Sequence, residues 1–191
     1  MMDNNRTFWE LLQPEHARAQ AFCRKLCGNR EEGDDLYQEA LLKALKNFGQ
    51  LRETGLFKSW LYRIIINSFK NSVRPSLWQR LVPLTKLVEE THSAPETSAR
   101  FAAKARLKIA FKAITPEERA LITLFELEGW SIAELAEMHG KKTGAIKVRL
   151  SRIRSKMRQA LLKHLGSDTK KTVNFLNREA KICVAAKPLK D

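Results

Sequence analysis

Three cysteines, eight glycines, six prolines and two tyrosines among 191 residues already narrow what this chain can be. Cys23, Cys27 and Cys183 are odd in number and form no C-x-x-C. Cys23 and Cys27 stand one helical turn apart, a spacing open to a metal or redox site. With no second pair of ligands nearby, they read as buried or free thiols in a reducing cytoplasm. Long apolar runs are missing too. The most apolar stretch, Leu61 to Ile66, contains Arg63 and falls far short of the roughly 18 residues a spanning helix needs. Asp3 and Glu10 near the start, with no long apolar run, exclude a signal peptide. Scarce Gly and Pro, with abundant Leu, Ala, Lys and Glu, point to a mostly helical chain. No internal repeat is present.

Acid is the other shortage. Lys and Arg number 35 against 21 Asp and Glu, for a net charge of +14 and a pI near 10.0. That balance favours a polyanionic partner. The excess is uneven: Arg106 to Lys163 carries thirteen basic residues and six acidic ones, and no acid occurs from Met138 through Ser167. A recognisable pattern leads into this acid-free stretch. Ser131 and Glu134 form an S-x-x-E capping box that opens a helix with Ile132, Leu135 and Ala136 on its apolar face. Gly140 sits where a left-handed cap would end it. Thr143 caps a second helix, in which Ile146, Leu150, Ile153 and Met157 recur at helical spacing. Between them stand Lys147, Arg149, Arg152, Arg154, Lys156 and Arg158. Two short helices, a Gly turn and a one-sided basic second helix describe a helix-turn-helix built for the major groove. The candidate contacts are Lys141, Lys142, Thr143, Lys147, Val148, Arg149, Ser151, Arg152 and Arg154.

Ahead of this unit, Thr115-Pro116-Glu117-Glu118 is another capping box with Pro at the first helical position. Leu121, Ile122, Leu124, Phe125 and Leu127 follow as its core. The N-terminal block, Phe8 to about Arg74, also reads as helices. In one, Leu36, Ala40, Ala44 and Phe48 face inward, while Asp35, Gln38, Glu39 and Lys43 face outward. After a loop from Gly49 to Gly55, another helix places Phe57, Trp60, Leu61, Ile64, Ile65 and Ser68 on its apolar face. Its other face carries Lys58, Tyr62, Arg63, Asn67, Lys70, Asn71 and Arg74. Aromatic residues interleaved with cations suit unstacked bases and their phosphates. Pro75 to Ser98, with Pro83 and Pro95 and no sustained period, reads as a linker. The expected fold is all-α: two small helical domains, residues 8–74 and 100–165, joined by a flexible linker over 75–99. A basic tail, 166–191, follows.

Asp35-Leu-Tyr-Gln-Glu39 and Phe57-Lys-Ser-Trp-Leu-Tyr-Arg63 with Asn67 resemble the first domain of bacterial RNA polymerase sigma factors of the extracytoplasmic-function (ECF) group. Thr115-Pro-Glu-Glu-Arg119, Glu128-Gly-Trp-Ser-Ile-Ala-Glu-Leu-Ala136 and Gly144-Ala-Ile-Lys-Val-Arg-Leu150 are similar to that group's last domain. The resemblance implies a subunit that guides core RNA polymerase to promoters, in a stress or envelope response, in the cytoplasm and without a cofactor. It implies that Asp35, Gln38, Glu39 and Lys43 dock on the β′ clamp helices. It implies that the loop before Phe57 and the outer face of the next helix (Lys58, Tyr62, Arg63, Asn67, Lys70, Asn71, Arg74) read the melted minus-ten element. The helix from Thr143 would read the duplex minus-thirty-five element, its domain would touch the β flap, and an anti-sigma factor is a further expected partner. The loop from Phe48 to Phe57 is longer than is usual in the group. Lys141 and Lys142 replace an apolar residue and Pro, and Val148 and Ser151 are small at base-facing positions. Two other readings use the same residues. One is a stand-alone helix-turn-helix regulator, which would dimerise on paired half-sites. The other is a nuclease holding Mg²⁺ on Asp34, Asp35 and Glu39. No further acidic cluster, His dyad or activated nucleophile joins those carboxylates, so no enzyme activity is expected.

Overall fold

The computed structural model describes residues 2–73 and 98–165, so the tail, Arg74 and nearly all of the expected linker lie outside the described residues. Among the described residues there are eight α-helices, two short 3-10 turns and no strand. The helices are α1 (Met2–Leu12), α2 (His16–Cys27), α3 (Arg30–Asn47) and α4 (Phe57–Ser72), then α5 (Ser98–Lys112), α6 (Pro116–Glu126), α7 (Ile132–His139) and α8 (Thr143–Leu165). They divide into two compact units. One gathers α1–α4 with α6, α7 and the opening turns of α8, and the other holds α5 with the remainder of α8.

Local chemistry places most helix ends. α2 stops at Gly28, whose φ of 83° lets its amide reach back to the Arg24 carbonyl at 2.8 Å. Asn29 then caps α3 by accepting the Glu32 amide at 2.8 Å. Both expected capping boxes form. The Thr115 amide donates to Glu118 at 2.9 Å and the Glu118 amide donates back to the Thr115 hydroxyl at 3.2 Å. The Ser131 and Glu134 pair does the same at 2.7 and 3.1 Å.

α2 and α3 cross so closely that a Cβ on Gly33 would lie 2.4 Å from the Arg24 Cα. Only glycine fits that crossing. Beside it Asp34 accepts two hydrogen bonds from the Arg24 guanidinium, at 2.7 and 3.0 Å, and one from Gln20 at 3.0 Å. The core of the N-terminal block is built from Phe8, Phe22, Leu26, Leu61 and Ile65, all fully buried. Phe8 meets Phe48 and Phe57 edge to face, with ring centroids 5.3 and 5.7 Å apart.

α6 packs on α2 and α4, and α7 packs on α4. This gathering is absent from the linear, two-body order of the sequence reading. It has a cost to two assignments. Leu127, expected in the core behind Thr115, is 53% exposed because α6 has ended at Glu126. Tyr62, expected on the outward face of α4, is 1% exposed. A second neighbour covers the side of α4 that periodicity marks as polar: Tyr62 lies between Phe22 and Trp130, at centroid distances of 5.2 and 5.0 Å.

Candidate nucleic-acid interface

The helix-turn-helix is α7, a turn and α8. Gly140 takes φ 59°, which turns the chain, and the Lys141 amide then bonds the Ala136 carbonyl at 2.9 Å. Leu135 and Met138 on α7 and Ile146, Leu150 and Ile153 on α8 are buried. That inward set turns Gly144, Lys147, Val148, Ser151 and Arg152 outward, and all five are exposed. Lys141, Lys142 and Thr143 extend the same open surface at the turn. Of the nine upstream candidates, Arg149 and Arg154 are the two not fully exposed. Arg149 turns back and donates to Glu117 Oε2 at 3.2 Å.

α4 presents a divided face. Arg63, Asn67 and Asn71, four residues apart, form an exposed stripe. Lys58 and Lys70 flank it but are engaged: Lys58 donates to Glu134 at 3.0 Å and lies 4.4 Å from the Trp130 ring centroid, and Lys70 donates to Glu117 at 2.9 Å. The Lys70 ammonium holds the Glu117 carboxyl below the ordinary glutamate value, helped by Arg149. Burial pushes the Glu134 carboxyl up, but hydrogen bonds from Ser131 and Lys58 outweigh it, and the net shift is downward. His139 is driven the other way. Burial disfavours its charged form, and the neighbouring Arg149 adds to the effect, so its pKa is lowered.

On α3, Asp35, Gln38 and Glu39 are exposed along one side. Lys43 pairs with Glu39 and donates to the Ser68 hydroxyl at 3.1 Å, tying α3 to α4. Leu42 stands on the same stripe at 70% exposure, an apolar side chain among polar ones. The sequence reading passed over it; its position seven residues after Asp35 was the available signal. Asp34 is not part of this face. Its carboxyl is held below the usual aspartate value, first by the Arg24 hydrogen bond. The carboxylate on which the nuclease reading begins is thus spent on a structural ion pair. Cys23 is fully buried, which raises its thiol pKa strongly, and Cys27 is pushed up to about 11, again by burial. The raised values favour the thiol form of both at neutral pH.

Residues 11–78 match the family described as Sigma-70 region 2, and residues 110–157 match Sigma-70, region 4. The chain is 27% identical over 154 residues to ECF RNA polymerase sigma factor SigM of Mycobacterium tuberculosis, covering 81% of this chain and 76% of that one. It is 29% identical over 161 residues to ECF RNA polymerase sigma factor SigE of Mycolicibacterium smegmatis, covering 82% and 62%. Among solved structures, the sigma factor RpoE in complex with the anti-sigma factor NepR from Bartonella quintana aligns with a TM-score of 0.57. That likeness covers 81% of this chain and 96% of the other at 24% identity, and it speaks to the fold. A capped helix-turn-helix with an open basic face follows an N-terminal block that matches region 2, and both of these sequence relatives are described as ECF sigma factors. The chain belongs to the extracytoplasmic-function subfamily of sigma-70 RNA polymerase sigma factors.

Proposed function

We propose that this sigma factor, a subunit that directs core RNA polymerase to promoters, divides the work among three helix faces. Lys147, Val148, Ser151 and Arg152 on α8, with Lys141, Lys142 and Thr143 at its start, meet the duplex minus-thirty-five element. Lys141, Lys142 and Arg152 hold phosphates, Lys147 and Ser151 face base edges, and the small side chains let the helix lie close to them. Arg63, Asn67 and Asn71 on α4 meet the separated strands of the minus-ten element, joined by Lys58 and Lys70 when those leave their carboxylate partners. Asp35, Gln38, Glu39 and Leu42 on α3, with Lys43 at the edge, form the docking surface for the β′ subunit. In this reading the protein works in the cytoplasm as a non-enzymatic initiation factor, and its region 4 also touches the β flap. An anti-sigma factor is included among the partners, as for the Bartonella protein.

The observation that carries the reading is the α8 stripe. Four exposed residues at i, i+1, i+4 and i+5 show two cations and two small side chains, with no carboxylate on the helix. Reconstitution tests it. Core polymerase plus this protein should give run-off transcripts from a defined subset of a promoter library, and neither component alone should do so. Strong footprints made by the isolated protein as a dimer on paired half-sites, with no core-dependent transcript, would replace the sigma assignment with the stand-alone regulator.

A further inference from the structure

In the free protein, three charged residues assigned to DNA are already bound, and their partners lie on α6 and on α7, the first helix of the helix-turn-helix. Lys58 and Lys70 of α4 are held by Glu134 and Glu117, at 3.0 and 2.9 Å. Arg149 of α8 shares Glu117 at 3.2 Å. A fourth tie runs from Lys25 of α2 to Glu128, at 2.7 Å. Between the pairs Trp130, 3% exposed, seals Tyr62, 1% exposed. On the assignment of α4 to DNA, carboxylates hold the lysines that phosphates would otherwise take, and the Trp130 indole packs on Tyr62 in the core beneath them.

We propose that the acids of α6 and α7 act as an intramolecular stand-in for the DNA backbone, forming a latch that holds the two lysines flanking the exposed α4 stripe until polymerase or melted promoter displaces it. The proposal rests on the assignment of α4 to DNA. Its strength fits the task. The ion pairs are part-exposed, with side-chain exposures of 34 to 43% for the Lys58, Lys70, Glu117 and Glu134 pairs. Such pairs hold weakly, each worth about fivefold at most in an equilibrium constant. A large interface with polymerase overcomes a few of them, whereas stray single strands do not. Glu134 serves twice, closing the Ser131 capping box and holding Lys58. The latch is therefore built into the start of the first helix of the helix-turn-helix.

Two measurements test this. In the wild-type protein, a zero-length carbodiimide should link Lys58 to Glu134 and Lys70 to Glu117. Core polymerase should suppress both links. For binding, E117Q/E134Q removes both charges, and Gln at the third helical position keeps the capping box. The control E31Q/E137Q makes the same change in net charge at exposed positions. A short fluorescent single-stranded oligonucleotide should bind the latch variant about fivefold more tightly than the control at equal salt. Equal affinities for the two variants, or links that persist undiminished in the polymerase complex, would overturn the latch. A failure of core-dependent transcription would sink the sigma assignment instead, and the carbodiimide links are read without it.

Discussion

Gly33 shows how a single missing methyl sets the geometry of the N-terminal block. Its backbone is in ordinary helical conformation, so what demands glycine is the α2 backbone 2.4 Å from where a Cβ would sit. Gly33→Ala must push the helices apart or bend one of them. The expected loss is about 1–3 kcal/mol, as for other overpacked sites, and urea unfolding should show it as a lower midpoint. Next to it, the Arg24–Asp34 pair links the same two helices through two hydrogen bonds. Asp34, Glu117 and Glu134 all have carboxyl pKa values depressed in the folded state. Their contribution to stability is complete above the ordinary values of 3.8 for Asp and 4.5 for Glu, and it is lost as the pH falls through the lower folded values. Stability should therefore decline with acid below about pH 4.5. Asp34→Asn should flatten that decline while lowering stability at neutral pH. An unchanged acid slope in urea titrations of the variant would remove Asp34 from the account.

At the scale of the helix, α8 is proposed to separate phosphate contacts from base contacts by position along one stripe. Arg152 is exposed, so its loss should act on phosphates alone. Arg152→Ala is expected to weaken duplex binding nearly evenly across sequences and to lower the salt slope by about one. Lys147→Ala or Ser151→Ala should instead shift upstream sequence preference, which a randomised minus-thirty-five library would reveal. Arg149 behaves differently because it also serves Glu117. Its replacement removes a cation and frees a carboxylate at once. On α7, Ser131→Ala takes away the hydroxyl that accepts the Glu134 amide. A lost cap of this kind costs about 1 kcal/mol. A thermal melt unchanged from wild type would show that tertiary packing alone holds the start of α7.

For the molecule as a whole, the proposed docking and DNA-binding faces draw on opposite chemistry. The acids of α3 stand exposed in a strongly basic chain, where a polyanion would be repelled from them and a basic protein face attracted. Reversing both charges, Asp35→Lys with Glu39→Lys, should weaken binding to core polymerase and leave the helical content intact. Removing the exposed apolar side chain with Leu42→Ala should add to the loss. Surface charge pairs are worth little at a rim and more when desolvated, so the size of the effect reports how deeply this face is buried. Core affinity that is indifferent to all three changes would move the docking surface elsewhere.

Capping boxes, glycine stops and the spacing of Ile146, Leu150 and Ile153 act over a few residues, and each was legible in the sequence before any contact was known. The same holds for Leu36, Ala40, Ala44 and Phe48, an inward stripe whose outward complement carries Asp35 and Glu39. Periodicity assigns a helix two faces, however, and cannot tell when a second neighbour will cover the polar one. Tyr62 is buried for that reason. The partners of Lys58, Lys70 and Arg149 lie 76, 47 and 32 residues away in the chain. No local rule links residues so distant. The helices, their caps and the basic face of α8 follow from backbone hydrogen bonding and side-chain spacing, so the order of the residues is enough to give them. Which acid holds Lys58, Lys70 and Arg149 follows only from the packing of the helices, because a charge chooses its partner by distance in space.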